Sequence, residues 1–364
     1  MKAKLGLLFA LVIAGGLLGL GADCYGASQR GWSGAVVVDN ALYLCTVEGE
    51  VVAYTLHEDP RPSIGDWWQP FEPDERGSAY FYGTPAVANG VVYIGSYGGK
   101  VYALDAEFGT LIWEYPPKGY IDDIVGGAAV AGGTVYIGSS DGKLYALDAE
   151  SGGEVWPQPF DTGDKIWATP AVSGGVVYIG SFNKSLYALD AETGEKLWEF
   201  ETGGAIGATP LLHDDTIYIG SFDRKFYGIN LDGTEKWVFE ADNWFWAKAV
   251  VYEDIVIAGC LDGWVYALNA EDGTEAWPAR ELGGAVRADL ALAGDLVIVG
   301  SDEDMVYALE AGTGRPVWPY AVDGHVRAPL FAEGDRVYVH TTEGTLYALD
   351  MEQRRQLWSK QTVR

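Results

Sequence analysis

A tryptophan recurs about every 40 residues along this chain, and that repeat restricts the available folds more than any other feature. Successive copies are separated by 45, 43, 42, 39, 40, 41 and 40 residues. The tryptophans are Trp68, Trp113, Trp156, Trp198, Trp237, Trp277, Trp318 and Trp358. Self-similarity at a fixed period of roughly 20–50 residues is typical of repeat architectures. The chain is therefore expected to contain eight copies of one supersecondary unit.

The best preserved copy predicts four short antiparallel strands. Val176–Gly180 and Leu186–Leu189 are rich in β-branched and aromatic residues, as strands are. Asp190–Gly194 predicts a tight turn, because the aspartate can accept hydrogen bonds from amides ahead of it and the glycine adopts a positive φ without strain. Lys196–Phe200 predicts a third strand, and a shorter one, Ala168–Val172, precedes the others. A single sheet of this size cannot bury both of its faces alone.

Four short strands repeated about every 40 residues are the signature of a β-propeller blade. Closing the blades into a ring hides the end faces that an open stack would expose. We therefore predict an all-β protein with one domain, an eight-bladed β-propeller of about residues 30–364. The repeat begins at Trp32 and ends just after Trp358, so we expect the last blade to be built from the C-terminal chain alone.

The copy at Tyr187–Trp198 reads Tyr-Ala-Leu-Asp-Ala-x-Thr-Gly-x-x-x-Trp. This motif resembles the repeat of the pyrroloquinoline quinone (PQQ)-type propellers, and the resemblance covers essentially the whole mature chain. It implies one of two branches. The quinoprotein dehydrogenases bind PQQ and calcium at the propeller axis. The non-enzymatic, BamB-like branch consists of eight-bladed scaffold lipoproteins of the outer-membrane β-barrel assembly machine.

The sequence favours the non-enzymatic branch. The dehydrogenases resemble one another in an adjacent Cys-Cys pair beside the cofactor, whereas Cys45 and Cys260 have no cysteine neighbour. No copy has the acidic spacing of a calcium loop, and the four histidines form no zinc-type pair. We therefore predict a non-catalytic protein without cofactor or metal. The alternatives are an axial sensor of a small ligand and a PQQ-dependent quinoprotein dehydrogenase.

Residues 1–24 predict an export signal, with a basic start, the apolar run Leu5–Leu20 and then small residues. An uncleaved membrane anchor is the alternative, because the apolar run is nearly long enough to span a bilayer. Cys24 is a hypothetical lipidation site, although Asp23 departs from the usual Leu-Ala-Gly-Cys pattern. Export predicts a periplasmic or cell-surface protein, attached to the membrane only through this N-terminal segment or its lipid.

The charge of the chain excludes one class of partner. Its 52 acidic and 24 basic residues give a formal net charge of −28. A polyanion repels phosphate backbones, so nucleic-acid binding is not expected. The BamB-like resemblance implies instead a protein or peptide partner in the cell envelope, bound by a monomeric scaffold.

Three other features are expected to be structural. Cys45 and Cys260 fall at equivalent places in the first and sixth copies, and separation on the ring beyond about 7 Å predicts free buried thiols. Gly138–Gly142 matches the Gly-x-Ser-x-Gly motif of hydrolases, but it joins two strands instead of a strand and a helix, and so predicts a hairpin turn. The Pro-rich insertion His57–Arg76 predicts a projecting loop. That loop is either a plain surface insertion or a partner-docking edge.

One position varies between copies where packing alone would repeat it. Two residues before the Thr of Thr-Pro, the eight copies carry Trp32, Tyr82, Val125, Trp167, Gly207, Trp246, Arg287 and Arg327. Two residues earlier they carry Arg30, Tyr80, Asp123, Lys165, Ala205, Trp244, Ala285 and His325. If these positions lie on the first, innermost strand, alternation places both sets on one face.

We predict that the aromatic and arginine members of the first set form a binding site at one mouth of the axial channel. The members are Trp32, Tyr82, Trp167, Trp246, Arg287 and Arg327, with Lys165 and His325 beside them. Tryptophan, tyrosine and arginine are enriched in binding hot spots, and together they suit an anionic or amphipathic group. The alternative is that these residues plug the channel or pack between blades.

Overall fold

The computed structural model describes residues 31–56, 63–64, 69–73 and 80–362. The export signal, Cys24, Arg30, Trp68 and most of the His57–Arg76 insertion lie outside the described residues. In the described part of the chain, all assigned elements are β-strands, which confirms the prediction of an all-β protein. A search of the same residues finds no apolar helix of membrane-spanning length.

The strands form eight separate four-stranded sheets. Blades one and two consist of β1 (Val36–Val38), β2 (Ala41–Cys45), β3 (Val51–Thr55), β4 (Ser63–Ile64), β5 (Ala86–Ala88), β6 (Val91–Gly95), β7 (Val101–Asp105) and β8 (Leu111–Tyr115). Blades three and four consist of β9 (Ala129–Ala131), β10 (Thr134–Gly138), β11 (Lys143–Asp148), β12 (Phe160–Asp161), β13 (Ala171–Ser173), β14 (Val176–Gly180), β15 (Ser185–Asp190) and β16 (Lys196–Glu201).

The second half of the ring repeats the same plan. Blades five and six consist of β17 (Leu211–His213), β18 (Thr216–Gly220), β19 (Lys225–Asn230), β20 (Glu235–Glu240), β21 (Val250–Tyr252), β22 (Ile255–Gly259), β23 (Trp264–Asn269) and β24 (Glu275–Glu281). Blades seven and eight consist of β25 (Ala291–Ala293), β26 (Leu296–Ser301), β27 (Met305–Glu310), β28 (Pro316–Ala321), β29 (Phe331–Glu333), β30 (Arg336–His340), β31 (Thr345–Asp350) and β32 (Arg355–Gln361).

Each blade is a meander of four consecutive antiparallel strands. The last blade, β29 to β32, comes from the C-terminal chain alone, which confirms that prediction. The first strands of neighbouring blades contact one another, and β1 contacts both β5 and β29. The first strand is therefore the innermost one, and the ring closes between the first and eighth blades. The prediction of an eight-bladed propeller is confirmed.

The core lies between the blades. Each of eight apolar clusters among the described residues joins two adjacent blades. Between blades four and five, for example, Tyr178 and Leu186 pack with Ile206 and Ile217. At the closing interface, Leu42 and Leu44 of blade one pack with Tyr338 and Leu346 of blade eight. Both faces of a blade are apolar because each face is covered by a neighbour.

The repeated tryptophan links the outer strand of one blade to the next blade. In five copies its indole Nε1 donates to a backbone carbonyl of the following blade at 2.9–3.1 Å. The pairs are Trp113 with Ala149, Trp156 with Ala191, Trp198 with Leu231, Trp237 with Ala270 and Trp277 with Ala311. Trp198 is only partly buried, and it packs into the cluster between blades four and five.

A glycine of the next blade completes this contact. A Cβ on Gly194 would lie 2.6 Å from the Trp156 ring, and Gly194 has a φ of +75°. Both observations exclude a larger residue at this turn. The accepting carbonyl also receives a second donor in some copies: Ala191 O is 3.1 Å from Trp156 Nε1 and 2.9 Å from the Tyr136 hydroxyl. Two side chains of one blade thus converge on one carbonyl of its neighbour.

The predictions for the turns and the cysteines are confirmed. Gly142 donates its amide to Ser139 O at 3.1 Å with a φ of +83° between β10 and β11, so the Gly-x-Ser-x-Gly match is a hairpin. The Asp190 carboxylate accepts the Thr193 amide at 2.8 Å. Cys45 and Cys260 are free and buried, and burial raises the pKa of the Cys260 thiol to about 12.

The closing interface has its own packing. Six copies have glycine at the end of the second strand or, as at Gly300, one residue before it, and a Cβ on Gly300 would lie 2.2 Å from Val326 of the next blade. His340 occupies that place in blade eight, where the equivalent neighbour in blade one is Gly31. The imidazole joins the two ends of the chain: Nδ1 lies 2.9 Å from Ser33 O, and Nε2 lies 3.1 Å from the Thr362 hydroxyl. Burial lowers the pKa of His340 to about 4.

We expect Trp277→Ala to lower the free energy of unfolding by about 3–5 kcal/mol, because it leaves a cavity between blades. Trp277 is 4% exposed and bonded to Ala311. Leu197→Ala is the control, since Leu197 is 52% exposed on an outer strand, and its effect should be about 0.5 kcal/mol or less. Urea denaturation measures both. Equal effects of the two variants would contradict an inter-blade role for the tryptophan.

We expect the stability to fall as the pH drops from the ordinary histidine pKa of 6.5 towards the folded value of about 4 for His340. In that window the unfolded chain binds a proton that the folded chain does not, which amounts to roughly 3 kcal/mol at pH 4. Above pH 6.5 this contribution is constant. His340→Gln should flatten the pH dependence in urea denaturation, and His213→Gln, on the surface, should not. An unchanged slope in His340→Gln would contradict this assignment.

Candidate binding site at the propeller axis

The variable positions lie just before the innermost strand instead of on it. In every copy the first strand begins four residues after the variable position, as from Trp167 to Ala171. The expectation that these residues belong to that strand is therefore wrong. In several copies a proline such as Pro170 intervenes, and proline has no amide hydrogen with which to begin a ladder. Copies without a proline, such as that of Trp246, begin the strand at the same place, so in every copy the segment reaches the axis before strand pairing starts.

These segments nevertheless bring the predicted residues together. A cavity of about 310 Å³ at the axis is lined by one variable residue from each of the eight blades. The eight residues are Trp32, Tyr82, Val125, Trp167, Gly207, Trp246, Arg287 and Arg327. The six residues for which convergence was predicted are all in this set.

Lys165 and His325 lie beside the cavity and do not line it. The Lys165 ammonium is 5.4 Å from the centroid of a Trp167 ring. His325 Nδ1 is 2.9 Å from Asp304 Oδ1, and the His325 amide donates to the Thr342 hydroxyl at 3.1 Å. These two side chains therefore belong to the rim of the mouth.

Aromatic rings cover much of the cavity wall. Trp32 and Tyr82 of blades one and two meet edge to face, with their centroids 4.5 Å apart. Trp167 of blade four lies 6.2 Å from Trp246 of blade six. Between them Phe222 stacks on Trp246 at 5.3 Å and nearly parallel. The wall thus offers flat apolar surfaces from both sides of the channel.

Phe222 belongs to a second ring of residues that sequence reasoning missed. This position directly follows a serine, threonine or cysteine in the hairpin between the second and third strands. The eight copies carry there Val47, Tyr97, Ser140, Phe182, Phe222, Leu261, Asp302 and Thr342. The amide of Phe222 donates to Ala205 O, and that of Asp302 donates to Ala285 O, which fixes this ring beside the first. The signal was present, because this position also varies between copies.

Gly207 illustrates how the two rings complement each other. A Cβ on Gly207 would lie 3.1 Å from the Phe222 ring and 3.7 Å from the Phe182 ring. The glycine therefore makes room for aromatic side chains that arrive from the hairpins. In blade five the aromatic side chain is Phe222, which belongs to the turn between β18 and β19 and not to the segment before the first strand.

The two arginines share one carboxylate. Arg287 Nε lies 2.7 Å from Asp302 Oδ2, and Arg327 Nε lies 3.2 Å from Asp302 Oδ1. The Arg327 guanidinium carbon is also 5.9 Å from the centroid of a Trp32 ring. Asp302 balances only one of the two positive charges. Among the described residues, the Nη nitrogens of both arginines have no hydrogen-bonding partner, so they can donate to a ligand.

A second pair of charged residues lines the cavity. Asp289 Oδ1 accepts the backbone amide of Lys248 at 2.7 Å, and burial raises the pKa of the Asp289 carboxyl. Lys248 and Asp289 follow Trp246 and Arg287 by two residues, so they lie on the same segments.

These residues do not fit a calcium ion of the quinoprotein type. Asp289 is the one carboxylate among the cavity-lining residues, and it shares the cavity with Lys248 and two arginines. Calcium prefers six to eight oxygen ligands, several of them carboxylates. Within the residues that the structure describes, no cluster of three or more histidine, cysteine or acidic side chains could hold a metal.

Comparison with known proteins agrees with the fold. A family model described as outer membrane protein assembly factor BamB matches residues 66–156, 121–167, 145–260 and 261–364, which together span more than four fifths of the chain. The crystal structure of BamB from Moraxella catarrhalis is similar, with a TM-score of 0.73 and 21% identity, covering 88% of this chain and 96% of that one.

A computationally designed protein, Ika8, is similar to the same extent in its fold. Its TM-score is 0.74 at 16% identity, with 88% of this chain and 96% of that chain covered. A search of curated protein sequences finds no significant match. At these identities the likeness to solved structures shows the fold, and the axial residues have to be judged by their own geometry.

We expect Arg287→Ala/Arg327→Ala to lower the free energy of unfolding by about 1–3 kcal/mol, because it leaves the half-buried Asp302 carboxylate unpaired. Adding Asp302→Ala should restore most of the loss. Urea denaturation of the double and triple variants measures this. A triple variant that is less stable than the double variant would show that Asp302 does not depend on the arginines.

Proposed function

Because the chain belongs to the family described as outer membrane protein assembly factor BamB, we propose that it is an exported, non-catalytic scaffold protein. In this proposal it binds another protein of the cell envelope at the mouth of its axial channel. The fold and the family support a protein-interaction role without catalysis in general. The site, the compartment and the type of partner are inferences from the residues.

The observation that carries the proposal is the contrast between constant and variable positions. The tryptophan, the turn glycine and the buried strand residues repeat from blade to blade because they make the same inter-blade contacts. The residues that face the axial cavity differ in every copy except for repeated tryptophan and arginine. Those two residue types and tyrosine dominate binding hot spots. Packing between blades does not require them at the axis.

The size of the cavity limits what can enter it. Its volume of about 310 Å³ lies at the lower end of the roughly 300–1,000 Å³ of small-molecule sites. An α-helix with side chains is about 10–12 Å across, and a folded element is larger still. The cavity therefore suits a few residues of an extended segment, while the rest of a partner would lie on the surrounding rim.

The envelope location is supported by the sequence and the family. Residues 1–24 have the pattern of an export signal, and Cys24 stands at its end, at the place of a lipidation site. In this proposal the propeller is periplasmic or on the cell surface, and lipid on Cys24 or the uncleaved segment holds it to a membrane. The closed ring leaves no blade face open for a second copy, which supports a monomer.

The volume of the cavity also favours a second candidate, a sensor that binds a small ligand at the axis. A PQQ-dependent activity has no comparable support, because the charged residues at the axis do not suit calcium. Mixing the protein with PQQ and calcium and recording the cofactor absorbance distinguishes these readings. A bound quinone would contradict the scaffold proposal.

Site-specific photo-crosslinking in the native envelope tests the proposal. We expect a photoreactive p-benzoylphenylalanine at position 82 or 246 to give a protein adduct, because both side chains line the cavity. The same residue at position 197, on an outer strand, is the matched control and should not give that adduct. The variant Arg287→Ala/Arg327→Ala/Asp302→Ala should lose the adduct while it remains folded. An adduct from position 197 alone would contradict an axial site.

A further inference from the structure

The charges in the axial cavity are confined to one side. The charged residues that line it are Lys248 of blade six, Arg287 and Asp289 of blade seven, and Arg327 of blade eight. The lining residues from blades one to five are uncharged. The cavity therefore has a charged wall. The wall that faces it consists of uncharged residues, among them aromatic residues, glycine, threonine and valine.

The charged wall carries an excess of one positive charge. Lys248, Arg287 and Arg327 supply three positive charges, and Asp289 and Asp302 supply two negative ones, which leaves 3 − 2 = 1. Burial raises the pKa of the Asp289 carboxyl. This group is therefore less readily ionised, which increases the net positive charge of this wall. On a chain with a net charge of −28, this local excess suits a ligand with a single negative charge.

The aromatic surfaces begin directly beside the cations. The Arg327 guanidinium carbon lies 5.9 Å from the centroid of a Trp32 ring. Trp246, whose ring stacks on Phe222, precedes Lys248 on the same segment. A ligand therefore meets a carboxylate-binding group and a flat apolar surface within the length of about one residue. Arginine forks bind carboxylates bidentately, and aromatic rings pair at about 4.5–7 Å.

We infer that the cavity binds the C-terminal residue of a partner protein when that residue is aromatic. The terminal carboxylate accepts hydrogen bonds from the Nη nitrogens of Arg287 and Arg327, and the aromatic side chain packs against Trp167 and Trp246. A chain end combines both groups on one residue. It also enters a cavity of about 310 Å³ without a second strand having to leave it. This inference rests on the proposed scaffold function and specifies the part of the partner that is bound.

Fluorescence anisotropy with labelled peptides tests the inference. The probe is a hexapeptide, Gly-Ser-Gly-Ser-Gly-Phe, with fluorescein on its N-terminus and a free C-terminal carboxylate. The matched peptides end in phenylalanine amide or in alanine. We expect both to bind at least tenfold more weakly than the probe, because each lacks one of the two recognised groups. Equal binding of the acid and the amide would overturn the inference.

Paired arginine variants locate the binding. Arg287→Gln/Arg327→Gln should weaken the probe at least tenfold, to the level of the amide. Arg224→Gln/Arg315→Gln is the control, because those arginines pair with Glu240 and Glu310 on the surface. If the first variant loses its native near-ultraviolet circular dichroism, Asp302→Asn is added to it, and the expectation stays the same. Equal weakening by both pairs would indicate general charge attraction and contradict the site.

Free N-acetylphenylalanine distinguishes a chain terminus from a small aromatic carboxylate. It should displace the probe only at concentrations at least tenfold higher than the unlabelled hexapeptide. Displacement at the same concentration would contradict the chain-terminus assignment. If no peptide binds but crosslinks from positions 82 and 246 persist, this inference fails and the scaffold function stands. If both are absent, both fail.

Discussion

The contact between an outer-strand tryptophan and the turn of the next blade is the constraint on which the rest of this propeller depends. Trp156 donates to Ala191 while its ring lies against Gly194, and Tyr136 donates to the same carbonyl. Five of the eight copies make this indole contact, and the residues that it uses at Trp156 stand at the fixed spacing of the sequence repeat. The outer contacts and the apolar clusters between blades hold each blade in place. The fold therefore does not require particular residue types at the axis.

The closing interface shows that the ring is held together by complementary exceptions. In six other copies glycine on the second strand faces a bulky apolar residue of the next blade, as Gly180 faces Ile206. At the closure the sizes are reversed, with His340 in the place of the glycine. Its two ring nitrogens contact Ser33 and Thr362, so the beginning and the end of the propeller meet at one buried side chain. The ring is thereby closed without a covalent link between its ends.

The sequence was sufficient for the architecture because period and turn chemistry are local properties. The number of blades, the hairpin at Gly142 and the free thiols followed from them. The start of the first strand did not, because it lies at the same place in copies with a proline, such as Pro170, and in copies without one. The Asp302 bridge between Arg287 and Arg327 was also missed, since it joins a hairpin to two segments that only the closed ring places side by side. Variation at the hairpin position was visible, but its direction towards the axis was not.

In the proposed function, the axis of the ring is a binding site with charged residues on one side and uncharged residues on the other. A crystal structure of the protein with the phenylalanine-terminated hexapeptide tests this most directly. The account predicts electron density for the terminal carboxylate between the Arg287 and Arg327 guanidinium groups, with the phenyl ring beside Trp167 and Trp246. Density for the peptide on the outer strands, with none at the axis, would contradict it.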